Sequence, residues 1–485
     1  MTRGAIATPH PLASQAGAGA LRAGGSAIDA ALAAAATVAV AYPHMNAIGG
    51  DVIALLHAPD GTVTVVNGSG AAAAAVDPDA LGTTMPARGV WPITVPGAVG
   101  AWETLHGLGA RRPWAALLQD AIGAAREGVA IAPSLRVALD EADPELRGAL
   151  GVDGDRLVQP ALARTLEALA AGGAAAFYGG EVGAAFVDGL RALGSPLTLD
   201  DLAAHETELA APLAGRLRGE ELLTAPPNSQ GHVLLEIAAA LELLDGPPRP
   251  ALLARLFAQA SADRDRWLAD PRTGRVPLAW LCSPEHAAEL IDAARRARPT
   301  APTGPRRADG DTVAVVAADA DGWAVSLIQS VFWSFGAGIV EPATGILCHN
   351  RGASFTLAPG SPNRLAGGRR PLHTLMPLLT RRDGRLSGVH GTMGGHAQPQ
   401  IHLQLLQRLL DGATPQEAIA APRFVVAGGL VAAESPAPAG LVVDVDLGPR
   451  SEETGHAQLI RIGADGALVA ASDPRADGTA ATVER

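Results

Sequence analysis

Lysine is absent from this chain: all 37 of its basic residues are arginine. No Schiff-base lysine, pyridoxal-phosphate attachment, P-loop lysine or kinase lysine is available, so several enzyme classes are excluded at once. Cysteine is nearly absent. Cys282 and Cys348 cannot build a disulfide framework or a CxxC metal site. One bridge is allowed, but two buried reduced thiols are the expectation. No apolar run is long enough to span a bilayer; the Ala-rich stretch 30–42 falls short. Positive charge is in deficit, with a formal net charge of −12 and no polybasic cluster. Nucleic acid and membrane surfaces are therefore not expected partners. The first residues, Met-Thr-Arg-Gly-Ala-Ile, show no charged n-region followed by an apolar h-region, and a cytoplasmic protein is expected.

What is present is length and apolar content. With 485 residues, 48% of them hydrophobic, the chain can bury a large core as two or three domains or one large layered α/β unit. Residues 14–23 read as a helix stopped by Gly24-Gly25, and Ser26 with Asp29 reads as a capping box opening an Ala-rich helix to about Val40. Residues 52–57 form an apolar run suited to a buried strand, and 62–66 read as its hairpin partner. The middle, 112–253, reads as mostly helical, broken by turns such as Pro226-Pro227-Asn228-Ser229-Gln230-Gly231. Residues 400–410 carry apolar side chains at helical spacing.

The segment 294–311 differs in composition. It is rich in Pro, Arg and Gly, lacks any large apolar residue, and reads as a linker or exposed loop. The pattern then flips to strands, at 312–318 and 323–332. An exposed linker ending in Gly310-Asp311, followed by a Thr that opens a buried strand, is the arrangement a self-cleaving precursor needs. The cut segment must be accessible, while the new terminus needs a rigid seat. Many threonines begin strands, so this pattern alone leaves the catalytic reading open.

The stretch from Thr312 through Asp319 to Ser326 resembles the nucleophile strand, turn and return strand of the γ-glutamyltranspeptidase family. The likeness continues through Phe335-Gly336-Ala337-Gly338, Thr344-Gly345, Asn350, Arg370-Pro371-Leu372, Met376-Pro377, Met393-Gly394-Gly395, Ala421-Pro422-Arg423-Phe424 and Ser472-Asp473-Pro474-Arg475. Gly24-Gly25-Ser26-Ala27-Ile28-Asp29, Gly49-Gly50-Asp51 and Val95-Pro96-Gly97 extend it over the N-terminal half.

The resemblance implies an α/β fold of the four-layer αββα type, autoprocessed into a large chain, 1–311, and a small chain, 312–485, with cleavage between Asp311 and Thr312. It implies that Thr312 is the nucleophile and its freed α-amine the base, an amine whose ordinary pKa of roughly 7.7–8.0 leaves a neutral fraction near neutrality. Gly394 and Gly395 would supply oxyanion donors, and Ser330 would orient the nucleophile. No cofactor or catalytic metal is implied, in keeping with the lack of an HExxH or Cys/His motif. The partners are the two chains of one precursor and a small amide; a dimer of such heterodimers is compatible with this.

The family's γ-glutamyl enzymes bind the substrate's α-carboxylate with an arginine, and the matching segment 65–70 has none. Their acidic contact falls on Ser354, an asparagine contact on Phe332, and a Ser-Ser pair on His373-Thr374. Arg351 and the Gly-Thr-Met-Gly-Gly-x-x-Gln run at 391–398 look more like the divergent branch of oxamate amidohydrolases and cephalosporin-acylase-like proteins. Arg351 offers a fork of donors for a small carboxylate, or a structural ion pair. His373 and His396 either line the pocket or serve the core, as do Phe332 and Trp333. The leading expectation is an amidohydrolase for a small acid-bearing amide such as oxamate. The alternatives are a γ-glutamyl hydrolase or transpeptidase for glutathione-type substrates, and an uncut, catalytically silent homologue.

Overall fold

The protein's structure, a computed structural model, describes residues 2–297 and 310–484. Strand β1 (Thr2–Thr8) leads into helices α1 (Pro11–Arg22) and α2 (Ala27–Ala41). Helix α1 starts earlier than the apolar spacing suggests. Pro11 supplies a preset first-turn φ, and His10 caps the turn by accepting the Leu12 amide. The expected capping box is formed: the Ser26 amide donates to Asp29 Oδ2 at 2.6 Å. Every residue of α2 is buried, as a helix apolar on all sides must be.

Strands β2 (Asp51–His57) and β3 (Val63–Asn67) form the expected hairpin. Helices fill most of the next hundred and more residues, but the helical reading of the middle fails over residues 208–224. Three strands occur there: β4 (Glu208–Ala210), β5 (Leu213–Leu217) and β6 (Glu220–Thr224). The physical reason is a two-residue turn at Arg218 and Gly219, whose φ values of +49° and +85° match the twist of a hairpin. Helices α3 (Gly231–Glu242), α4 (Pro250–Trp267) and α5 (Pro284–Arg296) follow. The linker reading is shortened at both ends, because α5 runs to Arg296 and Asp311 is already in a strand; residues 298–309 lie outside the described residues.

The chain resumes with β7 (Asp311–Asp319) and β8 (Ala324–Phe332), then β9 (Leu378–Arg382), β10 (Arg385–Thr392), helix α6 (Gln398–Leu410), β11 (Ala457–Ile462), β12 (Leu468–Ser472) and β13 (Thr479–Glu484). Among the described residues these make a seven-stranded antiparallel sheet, β13-β1-β7-β8-β2-β3-β4, and a six-stranded one, β12-β11-β10-β9-β6-β5.

Strand β7 shows how the layers are built. Its alternation has period two, so Val313, Val315 and Ala317 face the α1–α2 core while Ala314, Val316 and Ala318 face the space between the sheets. Both sets are buried, which explains a strand with no polar face. Across the inter-sheet layer, the Ser326 hydroxyl donates to the His390 carbonyl at 2.6 Å. On the far side, Val233, Leu234 and Ile237 of α3 and Leu403 and Leu406 of α6 cover Leu222 and Leu378 of the six-stranded sheet. The result is the helix–sheet–sheet–helix sandwich expected. Cys282 and Cys348 are both free, so the disulfide that the sequence allowed is not formed.

Two of the motifs read from the sequence lock the C-terminal part together. Arg423 Nη1 meets Asp473 Oδ2 at 2.9 Å, both wholly buried. Arg475 bonds Asp473 and also pairs with Glu434. Guanidinium forks suit such buried carboxylates.

Candidate active site

Thr312 is the second residue of β7, and the strand register shifts around it. Asp311 pairs with Phe332 and Val313 with Gln329, leaving an irregularity between. Such a bulge re-aims the side chain it carries. The Thr312 side chain is wholly buried, and its hydroxyl has no hydrogen-bond partner. A buried polar atom is normally satisfied, so this one needs a reason. Ser330, on the neighbouring strand, donates its hydroxyl to the Asp311 carbonyl oxygen at 2.6 Å and accepts the Phe332 amide at 2.7 Å. The carbonyl of the Asp311–Thr312 peptide is thus polarised beside a threonine hydroxyl that has no competing partner.

Gly310 packs directly on the glycine pair. A Cβ at Gly310 would stand 2.5 Å from Gly395 Cα, so only glycine fits. Gly394 and Gly395 adopt φ of +135° and +51°, and a side chain at Gly394 would strike Ile401 Cδ1 at 2.6 Å. Gln230, the residue before α3, fixes this loop by donating to the carbonyls of Thr374 and Gly395, both at 2.8 Å. A cavity of about 300 Å³ opens onto the segment, bounded in part by His44, Gly310, Asp311, Trp333, Met393 and Gly394.

A second group of expected residues gathers around Arg351. Its guanidinium carbon lies 3.9 Å from the Phe332 ring centroid, and Nη1 donates to Thr374 Oγ1 at 3.3 Å. Nη2 is buried with no partner. Burial pushes the Arg351 pKa down to about 9 against the pull of Asp51. The group is still charged at neutral pH, and one arm of its guanidinium is left without a partner, chemistry that suits an anion. Phe332 holds a φ of +79°, a strained conformation for a bulky residue, of the kind that clusters at functional sites.

His373 is held by hydrogen bonds at both of its ring nitrogens. Nδ1 accepts the Leu375 amide at 3.2 Å, so the proton is on Nε2, which donates to Asp51 Oδ2 at 3.1 Å. Burial, and then Arg351, lower its pKa to about 4, leaving a neutral ring. Asp51 also accepts the Gly70 and Gly97 amides, both at 3.3 Å, and His349 Nδ1 stands 3.5 Å from its Oδ2. Burial alone would raise its carboxyl, but these partners hold it well below the usual carboxylate range. Asp51 therefore supplies the negative charge that balances Arg351 inside the protein. Ser354 is committed to the backbone, donating to the Arg351 and Leu372 carbonyls at 2.8 and 3.0 Å. His396 is partly buried with Nε2 unpartnered, and burial together with Arg264 and Arg351 keeps it neutral.

Asp51, His349 and Gln230 had no assigned role in the sequence. Asp51 stood in a Gly-Gly-Asp motif and Gln230 in a Pro-rich turn. Their functions exist only where strands and loops distant in sequence meet.

Against known proteins, the family model described as Gamma-glutamyltranspeptidase matches residues 13–483. An oxamate amidohydrolase proenzyme of Klebsiella pneumoniae is 37% identical, over 99% of this chain and 98% of that protein. A glutathione hydrolase-like proenzyme of Bacillus subtilis, YwrD, is 34% identical over the same shares. Among solved structures, a cephalosporin acylase from Bacillus halodurans superposes with a TM-score of 0.87 at 32% identity, covering 99% of this chain and 96% of that one.

Proposed function

The chain belongs to the gamma-glutamyltranspeptidase family, and from that premise we propose that it cuts itself between Asp311 and Thr312. It is an autoprocessing amide hydrolase of the N-terminal-nucleophile class. In this reading Thr312 Oγ1 attacks the Asp311 carbonyl carbon, and the Ser330 hydroxyl stabilises the oxygen as it gains charge. The C–N bond breaks as a proton passes to the Thr312 nitrogen, leaving an ester. Water hydrolyses the ester, releasing the Asp311 carboxylate and a Thr312 with a free amine and a restored hydroxyl. Residues 1–311 and 312–485 then form the two chains of one enzyme. Two unpaired cysteines fit a reducing, cytoplasmic setting.

In the mature enzyme the freed amine takes the Thr312 hydroxyl proton as that oxygen attacks the substrate amide. Gly394 and Gly395 present the loop against which Gly310 packs in the uncut chain, so the oxyanion of the substrate occupies ground the precursor segment vacates. The substrate is a small amide bearing a carboxylate, of which oxamate is the simplest case. The observation that carries this is Arg351, buried and charged, with Nη2 unpaired. The name of the Klebsiella relative supports the same chemistry. Glutathione-type substrates are the second reading. Weighing against them, segment 65–70 has no arginine and the Ser354 hydroxyl is spent on backbone carbonyls. A silent, uncut homologue would not explain a buried nucleophile hydroxyl left unpaired beside a polarised carbonyl.

Ammonia release from oxamate, measured beside anilide release from a γ-glutamyl anilide, tests the substrate reading. Faster turnover of oxamate is expected. Efficient turnover of the γ-glutamyl compound with none of oxamate would reverse the two readings.

A further inference from the structure

A second cluster of buried polar atoms lies among α3, α4 and α5, away from Thr312 in the fold's outer helical layer. Glu236 of α3 is wholly buried, and neither of its oxygens accepts a hydrogen bond. His286 of α5 is nearly as buried, and Asp263 of α4 completes the group with a side chain 20% exposed. His286 Nε2 stands 3.2 Å from Asp263 Oδ2 and 3.9 Å from Glu236 Oε2. One donor atom from each of the three lies within 4.8 Å of the other two.

The surroundings make this arrangement costly as it stands. Leu234, Ile237, Leu256, Phe257, Ala260 and Leu290 belong to the same apolar core, so no water-rich surface solvates Glu236. The Trp280 ring covers His286 at 4.0 Å between centroids. A dry carboxylate without a donor, with a second carboxylate nearby, is costly in a core unless it is neutralised by a proton or by something positive between the two. His286 makes a hydrogen bond to neither carboxylate, while the spacings suit a cation. Donor atoms bound at about 2.0–2.2 Å around a tetrahedral ion stand roughly 3.3–3.6 Å apart, close to the two separations observed. The charge also fits, since two carboxylates and a neutral imidazole balance a divalent ion. Imidazole in the donor set favours zinc and its neighbours over magnesium or calcium.

We propose that Glu236, Asp263 and His286 bind one divalent transition-metal ion, zinc by preference, which staples α3, α4 and α5 together. Asp263, at the edge, gives the ion a way in. His232, one turn before Glu236 on α3, stands behind that ligand, with Nε2 3.7 Å from Glu236 Oε1 and no hydrogen bond between them. The staple stands behind the oxyanion loop. Gln230 precedes α3 and holds the Gly395 carbonyl at 2.8 Å, while Arg264, next to Asp263 on α4, reaches the His396 carbonyl at 3.5 Å. No local sequence motif announces the site, because its ligands come from three separate helices.

The test uses the full-length protein, with zinc as the probe. Metal content after equilibration and dialysis is measured for the wild type, Glu236→Gln and His286→Gln, together with melting temperature with and without zinc or a chelator. The expected result is one zinc per chain in the wild type, a melting temperature raised by zinc and lowered by the chelator, and loss of both responses in each variant. A wild type that retains no stoichiometric zinc and melts at the same temperature under all three conditions overturns the proposal, as does a Glu236→Gln protein that binds zinc like the wild type. If a variant does not fold, the wild-type titration alone decides. Thr312→Ala is expected to bind zinc normally, so failure here is separable from failure of the nucleophile assignment.

Discussion

Replacing Ser330 with alanine removes a single hydroxyl, and the structure says what that costs self-cleavage. The hydroxyl donates to the Asp311 carbonyl oxygen at 2.6 Å, the oxygen on which charge would build in the proposed attack by Thr312. Loss of one such donor costs about 2.7–4 kcal/mol of transition-state stabilisation, or roughly 10²–10³ in rate. The figure applies here because the donor is held before the reaction begins, by a strand pairing and by the Phe332 amide that its oxygen accepts at 2.7 Å. Prolonged expression would hide a slowdown of this size, so the assay is a time course. Precursor made in a cell-free system is sampled on a denaturing gel, and the half-time of conversion is compared. Ser330→Ala should lengthen it by at least about 100-fold, while Ser330→Thr, which keeps a hydroxyl, should stay within about tenfold. Equal half-times for wild type and Ser330→Ala, with both proteins folded by circular dichroism, would refute the argument that this bond drives the cut.

Arg351→Met should lower kcat/KM for a carboxylate-bearing amide by roughly 10- to 150-fold, the loss of charge-assisted bonds worth about 1.5–3 kcal/mol. A neutral amide of similar size should be much less affected, and equal losses on both would assign Arg351 to the core instead. Stability should fall in acid. His10, His373 and His456 are held neutral mainly by burial, with pKa values lowered to about 4. Because the unfolded chain takes up those protons from about pH 6.5 downward and the folded one does not, stability is full above that pH and is lost toward pH 4. Urea midpoints measured from pH 7 to pH 5 should drop steadily, and a flat profile would contradict the assigned neutral state. Arg423→Met removes one of the two guanidinium partners of the buried Asp473 and leaves Arg475, and should cost about 1.5–3 kcal/mol in thermal or urea unfolding, the worth of a bond to a charged group.

How much of this was legible in the sequence depended on whether the signal was local. Strands β7 and β8, the α2 capping box and the hairpin of β2 with β3 follow from short patterns of apolar alternation and capping residues. Ser330 bonds the Asp311 carbonyl and Gly310 packs against Gly395, so residues named from the family likeness lie along the segment that ends at Thr312. The β5–β6 hairpin was missed because Leu213–Leu217 is short and interrupted by Gly215, and its turn, at Arg218 and Gly219, carries no Asn-Gly or Asp-Gly signal. Ser354 and His373 were assigned to the pocket by position alone. Their hydrogen bonds go to backbone carbonyls and to Asp51, partners that no spacing in the sequence reveals. The same holds for Gln230, which touches the active-site loop across 165 residues of chain.

The central claim is that Thr312 cuts the bond before itself. The most direct measurement is the intact mass of the purified wild type beside Thr312→Ala. The account predicts two fragments for the wild type, matching residues 1–311 and 312–485, and one chain near 49.0 kDa for the variant. A folded wild type that remains a single chain, or a Thr312→Ala protein that is cut at the same bond, would contradict it.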